Sequence, residues 1–344
     1  MKKSLLALAV LGAFAGVASA QSSVTLFGIV DLSAKYVKND AAKRRVSLSQ
    51  DGINSSRLGF KGVEDLGGGL KAGFWLEGGV SADTGQVDTT RFFGRRATVS
   101  LLGNFGEVRL GRDYTPSFWN MTIFDAFGTN GVGNSLNVQQ LTSATRVRAD
   151  NSIGYLLPSN IGGVYGQFQV ASGEAATATV PGNPGRYVGG RVGFAAGPFD
   201  IAGSYAEQRI SGGTSIKSAS IGGAYDFGVL KLLSYYNQVK QGSDKDQVIS
   251  LSTVVPMGQG EIHVGYDYDK RTNAANVTTK VDQFKAGYVY SLSKRTAMYS
   301  TVSRLKNKNG TGNAIAGGNA YGTDGAVPSA PKSLGLEVGL RHIF

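Results

Sequence analysis

Apolar and polar residues alternate along most of this chain with a period of two, the spacing at which successive side chains fall on opposite faces of a β-strand. In residues 261–269, Ile262, Val264, Tyr266 and Tyr268 share one face, and Glu261, His263, Gly265, Asp267 and Asp269 the other. Residues 284–292 repeat this, with Phe284, Ala286, Tyr288, Tyr290 and Leu292 opposite Lys285, Gly287, Val289 and Ser291. The C-terminal stretch sets Leu334, Leu336, Val338, Leu340, His342 and Phe344 against Ser333, Gly335, Glu337, Gly339 and Arg341. Seven short, turn-rich joints lie at 65–69, 102–106, 158–162, 196–198, 226–228, 256–260 and 291–294. They alternate with eight longer polar segments near 32–55, 80–94, 113–147, 172–185, 208–216, 240–245, 270–279 and 305–332. Strict alternation of short and long connections predicts sixteen antiparallel strands, with both chain ends on the rim of the short turns.

A soluble sandwich would bury the apolar faces between two sheets. Here the opposite faces are rich in Gly and charge, which suits a wet lumen, and Tyr and Phe gather near strand ends, where an aromatic girdle sits at a membrane interface. The pattern therefore predicts an all-β fold, a 16-stranded antiparallel transmembrane β-barrel with short periplasmic turns and long extracellular loops. Hydrocarbon tolerates no open sheet edge, so the first strand must pair with the sixteenth.

The N-terminus agrees with export. Lys2 and Lys3 precede an apolar run over 5–17 and the triplet Ala18-Ser19-Ala20, so residues 1–20 read as a cleaved signal peptide and 21–344 as one barrel domain. Composition then removes several kinds of chemistry. The chain has no Cys, and its two histidines are His263 and His342, which excludes thiol catalysis and Cys-ligated metals and leaves a Ser-His-Asp triad almost without candidates. No metal and no cofactor is expected. Without Lys2 and Lys3 the balance is 33 basic against 24 acidic residues. An exported chain meets no nucleic acid, so this excess must be explained otherwise.

The segments SSVTLFGIVD, SRLGFKGVEDLGGGLKAGFWLE, FGEVRLGRDYTP, YSLSKRTAMYS and VGLRHIF occur in this order. With them the mature chain resembles, over its whole length, the general porins of Gram-negative outer membranes in their beta-proteobacterial branch, and most of all an anion-selective member. The resemblance implies a homotrimer in outer-membrane lipid and lipopolysaccharide, passing small hydrophilic solutes passively with a preference for anions. It implies a third loop folded inward opposite basic wall residues, and a terminal Phe344 that the barrel-assembly machinery reads as its signal.

The pore residues follow from this frame. The segment 113–147 is long enough to need a function, and its only carboxylates are Asp113 and Asp125, so the constriction should carry little negative charge. On the wall, Arg57 shares its face with Gly59 and Lys61, and Arg148 with Asp150, Ser152 and Gly154; both match constriction arginines of the family. For the third such arginine, motif position favours Arg95, whereas strict alternation groups Arg96 with Thr98 and Ser100, and both stay open. Arg91, Arg146 and Lys61 read as paired or rim residues, His263 as a solvated lumen residue, His342 as interface filler, and 241–246 as a solvated loop rather than a calcium site. Other readings are a substrate-specific porin, for which Trp75 and Trp119 make a meagre aromatic ladder, and a plugged structural or adhesive barrel. An outer-membrane enzyme would need a nucleophile and base at the rim, which the sequence does not offer.

Overall fold

The computed structural model describes residues 23–40, 44–141, 147–174, 183–315 and 331–344; the expected leader 1–20 and Arg146 lie outside these. The strands are β1 (Ser23–Asn39), β2 (Arg45–Gln50), β3 (Arg57–Gly67), β4 (Leu70–Ser81), β5 (Gln86–Val87), β6 (Arg96–Gly103), β7 (Gly106–Tyr114), β8 (Arg148–Leu156) and β9 (Val164–Ala171). They continue with β10 (Tyr187–Ala196), β11 (Phe199–Arg209), β12 (Ser215–Asp226), β13 (Lys231–Gln241), β14 (Asp244–Met257), β15 (Gly260–Thr272), β16 (Thr278–Ser291), β17 (Thr296–Lys308) and β18 (Lys332–Ile343). One helix, α1 (Pro116–Thr122), lies between β7 and β8.

These segments make sixteen staves. β2 and β3 pair with successive halves of β1, and β5 and β6 both pair with β4, so each couple counts as one interrupted strand. Every pairing is antiparallel, and β1 closes on β18 from Ile29↔Ile343 to Asn39↔Ser333. The closure runs to the last residue, since Phe344 N–H donates to the Gly28 carbonyl at 3.1 Å and Gly28 N–H to the Phe344 carbonyl at 3.0 Å. The Phe344 ring occupies the space above Gly28, where an added Cβ would stand 2.3 Å from it. On the outside, Val99, Leu101, Leu110, Ile153, Val170, Ile249, Leu251 and Val338 form an exposed apolar belt, the surface a bilayer covers.

The seven short joints fall between strands as the alternation predicts, but the first long segment does not. Instead of looping from residue 32, β1 continues to Asn39. Its inward Asp31, Ser33 and Lys35 alternate with outward Leu32, Ala34 and Tyr36, so the two-sided contrast that marks a strand runs on past residue 32. A real interruption comes at 51–56, where Asp51 adopts φ 65° and the chain folds inward around the Asp31 carboxylate. That carboxylate accepts the backbone N–H groups of Gly52, Ile53 and Asn54 at 3.2, 3.0 and 2.7 Å, together with the Tyr299 hydroxyl.

The third loop starts at residue 115, because β7 runs through Tyr114; Asp113 is therefore a strand residue. Thr115 caps α1, with Pro116 opening the helix, as N-terminal chemistry favours. The loop then turns into the lumen and lies along one half of the wall. Its Phe124, Val132 and Val138 are fully buried with Leu233, Tyr235, Val248, Val281 and Leu305 of β13–β17, so the main apolar core of this barrel sits inside it, beneath the loop. Gly222 lets Phe124 lie flat on β12, since a Cβ there would come within 2.3 Å of the ring.

Candidate functional site

The inward loop covers the wall from β10 to β18 and leaves β3–β8 as the open side of the passage. Polar anchors hold it there. Asn120 donates to Ala202 O at 3.2 Å and Ser220 Oγ at 2.9 Å and accepts from Arg191 Nε at 3.0 Å. Asp125 receives Lys285 Nζ at 2.9 Å, and the same ammonium lies 3.0 Å from Asp267, with all three side chains shielded from solvent. The tip rests on the folded segment of stave two, where Gly131 N–H donates to Asp51 O at 2.9 Å and Ser55 Oγ to Asn130 at 2.7 Å. On the return, Asp246 accepts the backbone N–H groups of Gln140 and Leu141 at 3.0 and 2.7 Å. Asp246 is thus a buried clasp rather than part of a solvated loop, and Asp244 pairs with Arg271 at 2.6 Å.

Across from the loop, three arginines meet at one level. Arg57, at the start of β3, donates to Glu77 Oε1 at 3.2 Å and to Ser55 O at 2.8 Å. Arg95 donates to the same Glu77 oxygen at 2.7 Å and to Tyr114 OH at 2.6 Å. Arg148, at the start of β8, reaches that hydroxyl at 2.7 Å, with its guanidinium 4.3 Å from the Tyr114 ring. Tyr114 in turn packs on Phe118 and Trp119 of α1, so the root of the loop and the arginine cluster are fixed together. The three guanidinium groups have one directly bonded carboxylate, that of Glu77, with Asp51 near Arg57 and Arg95, so the level stays net positive.

Arg95 and Arg96 are not alternatives. Arg96 faces inward with Thr98 and Ser100, lies 3.5 Å from Asp113 and stacks 4.4 Å over Trp75. Arg95 precedes β6 and follows the bend at Gly94, so it escapes the alternation and turns to Glu77. For Arg148 the alternation with Ser152 and Gly154 breaks at Asn151, whose φ is 52°; Arg148 joins the cluster through Tyr114 instead. Neither acidic residue of the expected loop is free. Asp113 is taken by Arg109 at 2.5 Å and by Arg96, and Asp125 by Lys285. Glu77 and Tyr114 were missed from sequence, although Trp75, Glu77 and Gly79 alternate inward and could have flagged the carboxylate.

The remaining polar residues fall around this level. Lys61 lies 5.4 and 4.9 Å from the Phe27 and Trp75 rings, and Arg91 pairs with Asp150 at 2.7 Å. His263 is 3.1 Å from Glu261 and edge-on to Phe127, and His342 bonds Thr296 on the exposed side. Among the described residues no cluster of acidic and histidine side chains is arranged to hold a metal ion.

A closed sixteen-stave barrel with an apolar outer belt and a lumen narrowed by its own third loop is an outer-membrane diffusion channel. This chain belongs to the Gram-negative porin family, whose pattern it matches over residues 7–310. It is 41% identical to outer membrane porin protein 32 of Delftia acidovorans and 30% identical to an outer membrane porin protein of Bordetella pertussis, each comparison covering both chains fully. Its fold superposes on an anion-selective porin from Comamonas acidovorans with a TM-score of 0.80 and 38% identity, over 94% of this chain and 100% of that one. The protein is a porin of the outer membrane.

Proposed function

We propose that this porin passes small hydrophilic solutes with a preference for anions, and that Arg57, Arg95 and Arg148 create the preference, with Arg96 as a second basic step. The carrying observation is the charge imbalance at one level: three guanidinium groups against the one directly bonded carboxylate of Glu77 on the open wall, while Asp113 of β7 and Asp125 of the facing loop are each paired with a cation. Guanidinium stays charged at every relevant pH and presents planar donors that suit carboxylate and phosphate. Glu77 and Tyr114 hold these groups in place rather than cancelling them. A passing anion therefore meets a chain of weak sites, which speeds permeation, whereas one deep site would stall it. The anion selectivity of the Comamonas acidovorans porin supports the same reading. The reversal potential in a salt gradient across a planar bilayer tests it: an anion-selective sign is expected, and a cation-selective sign refutes it.

The assembly reading belongs to the same proposal. A leader over 1–20 is cleaved, the mature barrel assembles as a homotrimer within lipid and lipopolysaccharide, and Phe344 carries the signal that barrel-assembly machinery reads. The terminal ring seated over Gly28 at the closing seam supports that role, since it completes the pairing that abolishes the open edge.

A further inference from the structure

We propose that the passage carries a subsite for aromatic carboxylates, built on Trp75, on the short-turn side of the arginine cluster. The proposal deepens the anion reading and rests on it, since a site for one class of anion needs a channel that admits anions.

Register locates the subsite. Arg57 pairs with Gly79 and Lys61 with Trp75, so Lys61 and Trp75 share one level, roughly 13 Å from the cluster along the inward face of β3 and β4. The Trp75 ring is fixed there. Its Nε1 donates to Glu77 Oε2 at 3.0 Å, and the Phe27 ring meets it edge to face with centroids 5.0 Å apart. Trp75 also lines a recess of about 350 Å³, together with Lys61, Val63, Arg96, Leu102 and Arg109. Gly73 pairs with Val63 on one side and Ser100 on the other, and its missing side chain keeps the recess open between Trp75 and Leu102. The recess is therefore apolar at its floor and cationic at its edge.

The cations differ in what they already hold. Arg109 is taken by Glu107 at 2.9 Å and Asp113 at 2.5 Å. Lys61 is exposed to the lumen and, among the described residues, has neither ion pair nor hydrogen bond; its ammonium lies over the Trp75 and Phe27 rings. Arg96 stacks on Trp75 and donates through Nε to Thr98 Oγ1 at 3.2 Å, which leaves its terminal nitrogens without a hydrogen bond.

These vacancies select the solute. A cation over a ring in contact with water is weakly held, so a carboxylate draws Lys61 from the rings, and an aromatic group on the same solute takes its place against Trp75. Acetate would meet the charge and leave the apolar corner wet. A neutral aromatic would cover the corner and leave Lys61 and Arg96 unmet. Ring-to-ring contacts add to what area burial gives, so an aromatic carboxylate should be held about fivefold more tightly than a saturated one of similar size.

The test adds benzoate, cyclohexanecarboxylate, acetate or benzyl alcohol to parent channels in a planar bilayer and reads the concentration of each that halves the KCl current. Benzoate should act at a concentration about fivefold below the others, and Trp75→Leu and Lys61→Gln should each raise its value about fivefold, while Lys217→Ser on the outer face leaves it at the parent's. Equal values for benzoate and cyclohexanecarboxylate, or for benzoate and benzyl alcohol, overturn the proposal. So does a parent-like value in either variant, or a raised one in the Lys217→Ser control. Should one variant fail to assemble, the ranking in the parent and the other variant decide. Reversal potentials on the same membranes separate the two readings: an anion-selective parent that does not discriminate among these solutes refutes the subsite alone, whereas a cation-selective parent refutes the anion reading beneath it.

Discussion

Replacing Arg57 and Arg148 with Glu reverses the charge of the arginine cluster on the open wall of the passage. Counting the cluster's directly bonded groups, the parent has three guanidinium groups against Glu77, two net positive charges; the double variant keeps only Arg95 against three carboxylates, two net negative charges. An ion on the axis, on the order of 8 Å from the cluster, feels about 1 kcal/mol from two charges in water, reduced to about 0.5 kcal/mol by screening at 0.1 M salt. An anion gains this while a cation loses it, which makes the parent preference about fivefold and its inversion an overall shift of about thirtyfold in permeability ratio. Bilayer reversal potentials in a tenfold KCl gradient should therefore change sign. Heat resistance of the barrel should stay near the parent's, since lumen substitutions tune selectivity while lipid-face changes cost stability. At 1 M salt the screening length of about 3 Å should nearly abolish the selectivity of both proteins. A double variant that retains the parent's anion ratio would show that the cluster does not set selectivity.

Four further outcomes follow from the same contacts. Glu77→Gln removes the carboxylate bonded directly to Arg57 and Arg95 and should raise the anion-to-cation ratio about twofold, whereas an unchanged ratio would mean that Glu77 lies outside the field the ions feel. Arg95→Ser should lower the ratio more than Arg96→Ser, because Arg96 is already opposed by Asp113; the reverse order in the same assay would move the constriction to the Trp75 level. Lys285→Met leaves Asp125 and Asp267 buried without their ammonium, a cost of roughly 3–5 kcal/mol, so thermal unfolding should occur at lower temperature and single-channel records should become noisier as the loop loosens. Gly28→Val drives a side chain into the seat of the Phe344 ring and should cut assembled outer-membrane protein much as truncation at Ile343 does; parent-level yield from either would separate the terminal ring from assembly.

What the sequence determined by itself was the architecture. A period of two with one apolar face, seven turn-rich joints and eight long segments suffices for sixteen staves, because membrane crossing and edge closure leave few other solutions. It also proposed Arg57 and Arg148 for the lumen and left the third arginine open between Arg95 and Arg96. Only the tertiary structure decided how those charges are used. Glu77 stands eighteen residues from Arg95 and twenty from Arg57 in the chain, yet pairing of β3, β4 and β6 puts its carboxylate between them. Alternation fails at Arg95 and near Asn151 because it holds only while the chain remains a regular strand, and both positions adjoin a bend or a positive φ. The start of the first long segment differs although the alternation of Asp31, Ser33 and Lys35 with Leu32, Ala34 and Tyr36 is present in the chain; what only the structure supplies is the lumen contents that bury those polar residues. The fate of Asp113 lay close by, four residues away in Arg109, whereas that of Asp125 was hidden in a remote contact. Whether a carboxylate faces the ion path or is spent on a partner depends on side chains as far away as Lys285, brought near only when the barrel closes around its loop.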